Sequence, residues 1–115
     1  MYKNIYRLVR ISKEIQKEVS YILQKSIHNP NFNKFSTVLD VKVSPDYSFA
    51  KIYIYFNKKT SFNNVLSLNI LNKSSSYIRF LLSKKLTLRT VPKLIFVHDF
   101  SLTEGEKISN LLKNL

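Results

Sequence analysis

"LNILNKSSSYIRFLLSKKL", residues 68–86, decides how this chain is built. Apolar residues recur at helical spacing on both sides of Ser74-Ser75-Ser76, and serine is a mediocre helix former. As one straight helix, residues 62–86 keep a register of Val65, Leu68, Leu71, Ser75, Ile78 and Leu82, with Ser75 where a buried residue belongs. About 25 residues at 1.5 Å each would run roughly 37 Å. A domain of this size has a radius of gyration of only about 13–14 Å. One end would overhang the core while still carrying leucines. A bend removes the conflict, and small Gly/Ser clusters are among the few causes of sharp bends. Serine hydroxyls can also bond backbone groups in place of the helical ladder. The stretch therefore predicts two helices, about 62–73 and 77–86, joined at the serines. A continuous helix with a tolerated serine patch is the competing reading. A helix N-terminus at 75–77 would attract phosphate. A phosphate cradle normally wants glycine, and the only glycine is Gly105.

Upstream, residues 5–27 read as a long amphipathic helix. Ile5, Leu8, Ile11, Ile15, Val19, Ile22 and Leu23 lie on one face, and Lys13, Glu14, Lys17, Glu18 and Lys25 on the other. It stops before His28-Asn29-Pro30, because the residue before proline is pushed out of the helical region. Residues 28–36 form an asparagine-rich loop. Residues 37–44 and 49–56 alternate with period two and predict an antiparallel hairpin around Pro45 and Asp46. Lys42, Lys51, Tyr53 and Tyr55 fall on its less buried face. The two tyrosines are read as packing under the helices or a loop rather than as stacking platforms. Pro92 closes the central helical region and Leu94–Val97 make a third strand. Residues 103–115 predict a final helix with apolar Ile108, Leu111, Leu112 and Leu115, behind capping boxes at Ser101/Glu104 and Thr103/Glu106. The sum is one α+β domain over 1–115, a three-stranded sheet with helices on one face.

Charge narrows the partner. The 115 residues carry a net charge of +12, and the seven acids are Glu14, Glu18, Asp40, Asp46, Asp99, Glu104 and Glu106. Residues 47–98 contain none, yet hold Lys51, Lys58, Lys59, Lys73, Arg79, Lys84, Lys85, Arg89 and Lys93. A lysine-rich composition raises lysine everywhere but does not empty one stretch of acids. A polyanion would relieve the self-repulsion, and nucleic acid is the expected partner. An anionic membrane is the rival, weakened because both signs of charge interleave on the first helix. No apolar run nears the roughly 20 residues of a membrane span. The first ten residues are no secretory signal, and the absence of cysteine fits a reducing compartment. Cytoplasmic residence is expected.

The chemistry of an enzyme is not visible. Asp40 and Asp46 have plain roles on a strand face and in a turn, and His98-Asp99 is a neighbour pair at a strand end. No metal-ligand spacing exists, and no serine lies in a nucleophile motif. No cofactor or small-molecule substrate is expected.

The order helix–strand–strand–helix–helix–strand looks like the type II KH topology. Together with "RISKEIQKEVSYIL" (10–23), "VKVSPDYSFAKIYIYF" (41–56), "SSSYIRFLLSKKLTLRTVPKLIF" (74–96) and "DFSLTEGEKISNLL" (99–112), it resembles the ribosome-binding factor A family over nearly the whole chain. The resemblance implies a KH-like domain with an interhelix kink in place of a GxxG loop. The family's Ala-x-Gly kink aligns with Ser74-Ser75-Ser76. If glycine there serves a positive φ, Ser76 is strained and Ser76→Gly is tolerated or mildly stabilising. The resemblance also implies a monomeric, non-enzymatic assembly factor. Such a factor binds the immature small (30S) ribosomal subunit and its precursor RNA, supports 5′-end processing, and then leaves. A permanent ribosomal or general RNA-binding protein of similar fold is the alternative. Candidate RNA contacts are Arg79, Lys84, Lys85 and Arg89, with Arg7, Arg10 and Lys3 on the first helix. A second role is open to Arg79, capping carbonyls near the kink.

Overall fold

The computed structural model describes residues 2–56 and 63–99, with side chains from residue 5 onward. Its elements are α1 (Tyr2–Lys25), β1 (Ser36–Val43), β2 (Phe49–Phe56), α2 (Asn64–Lys73), α3 (Ser75–Ser83) and β3 (Lys93–His98). The expected helix over 103–115 lies outside the described residues.

The sheet runs β1-β2-β3, with β1 antiparallel to β2 and β2 parallel to β3. Alternation on β2 sends Ala50, Ile52, Ile54 and Phe56 inward, all fully buried, and leaves Lys51 exposed and Tyr53 and Tyr55 half-buried. The inward face meets Ile15 and Val19 of α1, Leu71 of α2, and Ile78 and Leu82 of α3 in one core. Tyr53 and Tyr55 thus lie on the face opposite the helices. Of the expected packing under the helices or a loop, the part under the helices is corrected: alternation fixes their face, and the described helices take the other one.

α1 begins three residues before the expected start. Its core contacts start at Ile11, while Ile5 is 54% and Val9 48% exposed. The first two turns project past the sheet, so Ile5 does not join the core. Where α1 crosses β1, the strand bulges between Val38 and Asp40. A bulge leaves backbone groups without ladder partners. Gln16 answers this, its Nε2 donating to the carbonyls of Val38 (3.0 Å) and Leu39 (3.2 Å).

The asparagine-rich loop is anchored rather than loose. Phe32 is buried edge-on to Phe56 at 6.4 Å. Asn33 is fully buried: its N–H donates to Ser67 Oγ at 3.0 Å and its Nδ2 to Asn64 Oδ1 at 3.1 Å. Ser67 is therefore the inward residue of α2 beside Leu71, while Val65 is 71% exposed. A register counted on apolar residues misplaces this helix by its polar contact.

The joint is at Ser74, between the two predicted helices. Ser74 has φ −93° and ψ 5°, a backbone turned out of the helical well by its ψ. Its N–H is shared by the carbonyls of Ile70 (2.9 Å) and Leu71 (3.1 Å), and its carbonyl accepts from Ile78 N–H (3.0 Å). Hydrogen bonding runs on through a one-residue bend, which lets Leu71, Ile78 and Leu82 all bury completely. The Ser74 hydroxyl makes no cap bond to α3, so backbone rotation and not side-chain competition makes the bend. Among the described residues the only non-glycine with positive φ is Tyr47, at 61°. Ser76 lies inside α3 without positive φ, so the condition under which glycine would relieve strain there is not met.

Candidate nucleic-acid interface

The α3–β3 connection folds back along α3. Arg79, half-buried, donates its Nε to the Val91 carbonyl at 2.9 Å. This holds the connection against the helix and leaves the other guanidinium donors for a ligand. The anchored carbonyl belongs to the strand-entry loop, not to the kink. Between the two segments runs an open groove of about 510 Å³, with Ser76, Arg79 and Phe80 on the helix side and Arg89 and Thr90 on the loop side. The two arginines singled out in the sequence thus line one groove.

Two aromatic residues missed in the sequence stand on the same helix, Phe80 lining the groove and Tyr77 about one turn before it. Tyr77 and Phe80 are 51% and 54% exposed, on α3 but outside its Ile78/Leu82 core line. Lys84 stands one turn further on, its Nζ 4.6 Å from the centre of the Phe80 ring, a distance that serves cation–π attraction. The readable signal was an excess of apolar residues in α3 over what one helical face can bury.

The remaining candidates lie elsewhere. Lys85 lines a small hollow with Glu14, Lys17 and Glu18 of α1 and does not join the groove. Arg7 and Arg10 line a shallow surface of α1 with Tyr6, Val9 and Lys13. The Arg7 guanidinium lies 5.6 Å from the Tyr47 ring in the β1–β2 turn. The side chain of Lys3 is outside the described residues. Six candidates therefore resolve into a groove holding Arg79 and Arg89 with Lys84 at its margin, a basic patch on α1, and one lysine in a separate hollow against α1.

Asp40 and Asp46 hold local backbone and turn structure. Asp46 accepts from the hydroxyls of Ser44 and Ser48 (2.7 Å each) and from Ser48 N–H (3.1 Å). The Ser48 hydroxyl, then that of Ser44, holds its carboxyl down at about 2. Asp40 accepts from Val41 N–H at 2.9 Å. Among the described residues no group of three or more His, Cys, Asp or Glu is placed to hold a metal. None of the described helices is long and apolar enough to cross a membrane.

A three-stranded sheet with helices on one face, a bent helix pair and a basic groove define a KH-like α+β domain. The ribosome-binding factor A family model matches residues 7–112. The chain is 43% identical to ribosome-binding factor A of Buchnera aphidicola subsp. Cinara cedri, over all of both chains. It is 45% identical to that of Blochmanniella floridana, over 98% of this chain and 97% of the relative. Among solved structures, the crystal structure of ribosome-binding factor A from Thermus thermophilus superposes with a TM-score of 0.70 at 18% identity, covering 79% of this chain and 93% of the other. A further neighbour is a Thermus thermophilus ribosome binding factor A homology model fitted into a cryo-EM map of a 30S complex. It covers 81% of this chain and 96% of its own, with a TM-score of 0.66 at 16% identity. The chain belongs to the ribosome-binding factor A family.

Proposed function

We propose that this chain, acting as a single domain over 1–115, binds the immature small ribosomal subunit and its precursor RNA in the cytoplasm. It supports late maturation and 5′-end processing, then dissociates, working as a monomer without catalysis or cofactor. The observation that carries the reading is the α3 groove, where Arg79 and Arg89 line opposite walls within the acid-free residues 47–98. Family membership supports this choice of partner, since the relatives are named ribosome-binding factors and a fold neighbour was fitted into a 30S complex. Arginine forks suit phosphate pairs, and recognition of this kind is shape-led and salt-sensitive.

Gradient sedimentation of a lysate at moderate salt tests the proposal. The chain is expected with small subunits and their precursors, below stoichiometry and absent from translating ribosomes. Full occupancy of translating ribosomes would mark a permanent ribosomal protein instead, and confinement to the free fractions would end the proposal.

A further inference from the structure

The sheet has two faces and the described helices cover one. By register, the open face carries Phe49 beside Lys93, then Lys42 beside Lys51 beside Ile95, then Asp40 beside Tyr53 beside Val97. The three lysines are exposed, and Phe49 and Ile95 are each 38% exposed. Two features exceed what a solvated face requires. First, Lys42 and Lys51 are direct cross-strand partners, and like charges so placed destabilise a sheet. Lysines on edge strands deter unwanted pairing, but Lys51 sits on the central strand, which has no edge to protect. Second, the Lys42 ammonium lies 5.5 Å from the centre of the Tyr53 ring. Neighbouring Asp40 turns its carboxylate to Val41 N–H instead.

We infer that this open face is a second nucleic-acid surface, distinct from the α3 groove, that takes a short single-stranded RNA. Strands stand about 4.8 Å apart and same-face residues along a strand about 6.7 Å apart, so the three ammonium groups share one small footprint. Phosphates sit over Lys42, Lys51 and Lys93, and a base stacks on Tyr53. Charge complementarity selects this occupant. An apolar segment would desolvate three lysines without partners, and an isologous second copy would set a positive face on itself. The inference rests on RNA being the partner, but not on which surface docks to the subunit.

Anisotropy of a labelled, unstructured oligouridine against the full chain is the test, with isolated small subunits titrated in parallel. The Lys42→Gln/Lys51→Gln variant is expected to bind oligouridine about tenfold more weakly. Its log–log salt slope should fall by about 1.4, roughly 0.7 for each phosphate contact removed. Tyr53→Leu should weaken binding and Tyr53→Phe keep it, whereas Lys25→Gln, an exposed lysine outside both surfaces, should leave it within about twofold. Both lysines are exposed, so an unchanged thermal melt checks the fold. Unchanged oligouridine affinity in the double lysine variant overturns the inference. So does binding lost only with Arg89→Gln, which moves the site to the groove. Loss of binding to phosphatidylglycerol vesicles with oligouridine binding intact would assign the face to a membrane. Wild-type Tyr53 shielded from acrylamide quenching would assign it to an intramolecular cover. Wild-type binding to subunits but not to oligouridine overturns this inference alone, and failure of both overturns the proposed function as well.

Discussion

The two faces of one sheet contrast sharply. On the helix side of β2, Ala50, Ile52, Ile54 and Phe56 are all completely buried. On the other side, separated from them by one residue each, Lys51 is exposed and Tyr53 half-buried. The first face is built to hold the chain together. The second keeps a lysine pair that the sheet alone would disfavour. Period-two alternation produces both faces from the same eight residues, so a change at one position should affect stability and at the next should affect binding.

The covered face should respond most strongly. Ile54→Ala removes a fully buried side chain and should cost about 2–5 kcal/mol in denaturant unfolding. A loss under about 1 kcal/mol would mean that the helices do not close over β2 as described. Next comes the sheet's β3 edge. Asn72 reaches from α2 to accept from Phe96 N–H (3.0 Å) and donate to Phe96 C=O (3.2 Å), standing in for a neighbouring strand. Asn72→Ala should cost about 1 kcal/mol, at the low end for a lost pair because water can reach the freed groups. It should also speed hydrogen exchange at Phe96.

Smaller still is the response of the helix joint. Ser76→Gly should destabilise by about 0.5 kcal/mol, the ordinary cost of glycine within a helix. A gain in stability would restore a strained Ser76. The open face should respond least. Lys51→Gln should leave stability within about 0.5 kcal/mol. Any change should be stabilising and should shrink as salt screens the lysine pair.

Much of this contrast was legible in the sequence. Alternation located both strands and assigned Lys51 and Tyr53 to the less buried side. Length and register placed the joint at the serines, and the structure puts it at Ser74. What escaped were properties set by distant partners. The burial of Asn33 and Ser67 depends on a bond between residues 34 positions apart. Alternation says which residues share a face but not which face the helices take, so it left Tyr53 a place under the helices as well as under a loop. Periodicity gave α1 its apolar side but not the point where the sheet ends, so Ile5 was grouped on one face with residues that reach the core. Lys85 looked like its neighbour Lys84 until the fold set it in a hollow against α1, away from the groove.

The proposed function depends above all on the α3 groove docking this protein on the immature small subunit. Co-sedimentation of purified chain with precursor small subunits, for wild type and for Lys84→Gln/Arg89→Gln, puts that docking to the test. Both side chains are exposed, so the variant keeps its fold. The expected result is at least about a tenfold loss of affinity, and a log–log salt slope lower by roughly 1.4–1.8 for two lost phosphate contacts. Wild-type affinity and an unchanged slope in that variant would contradict docking through the groove.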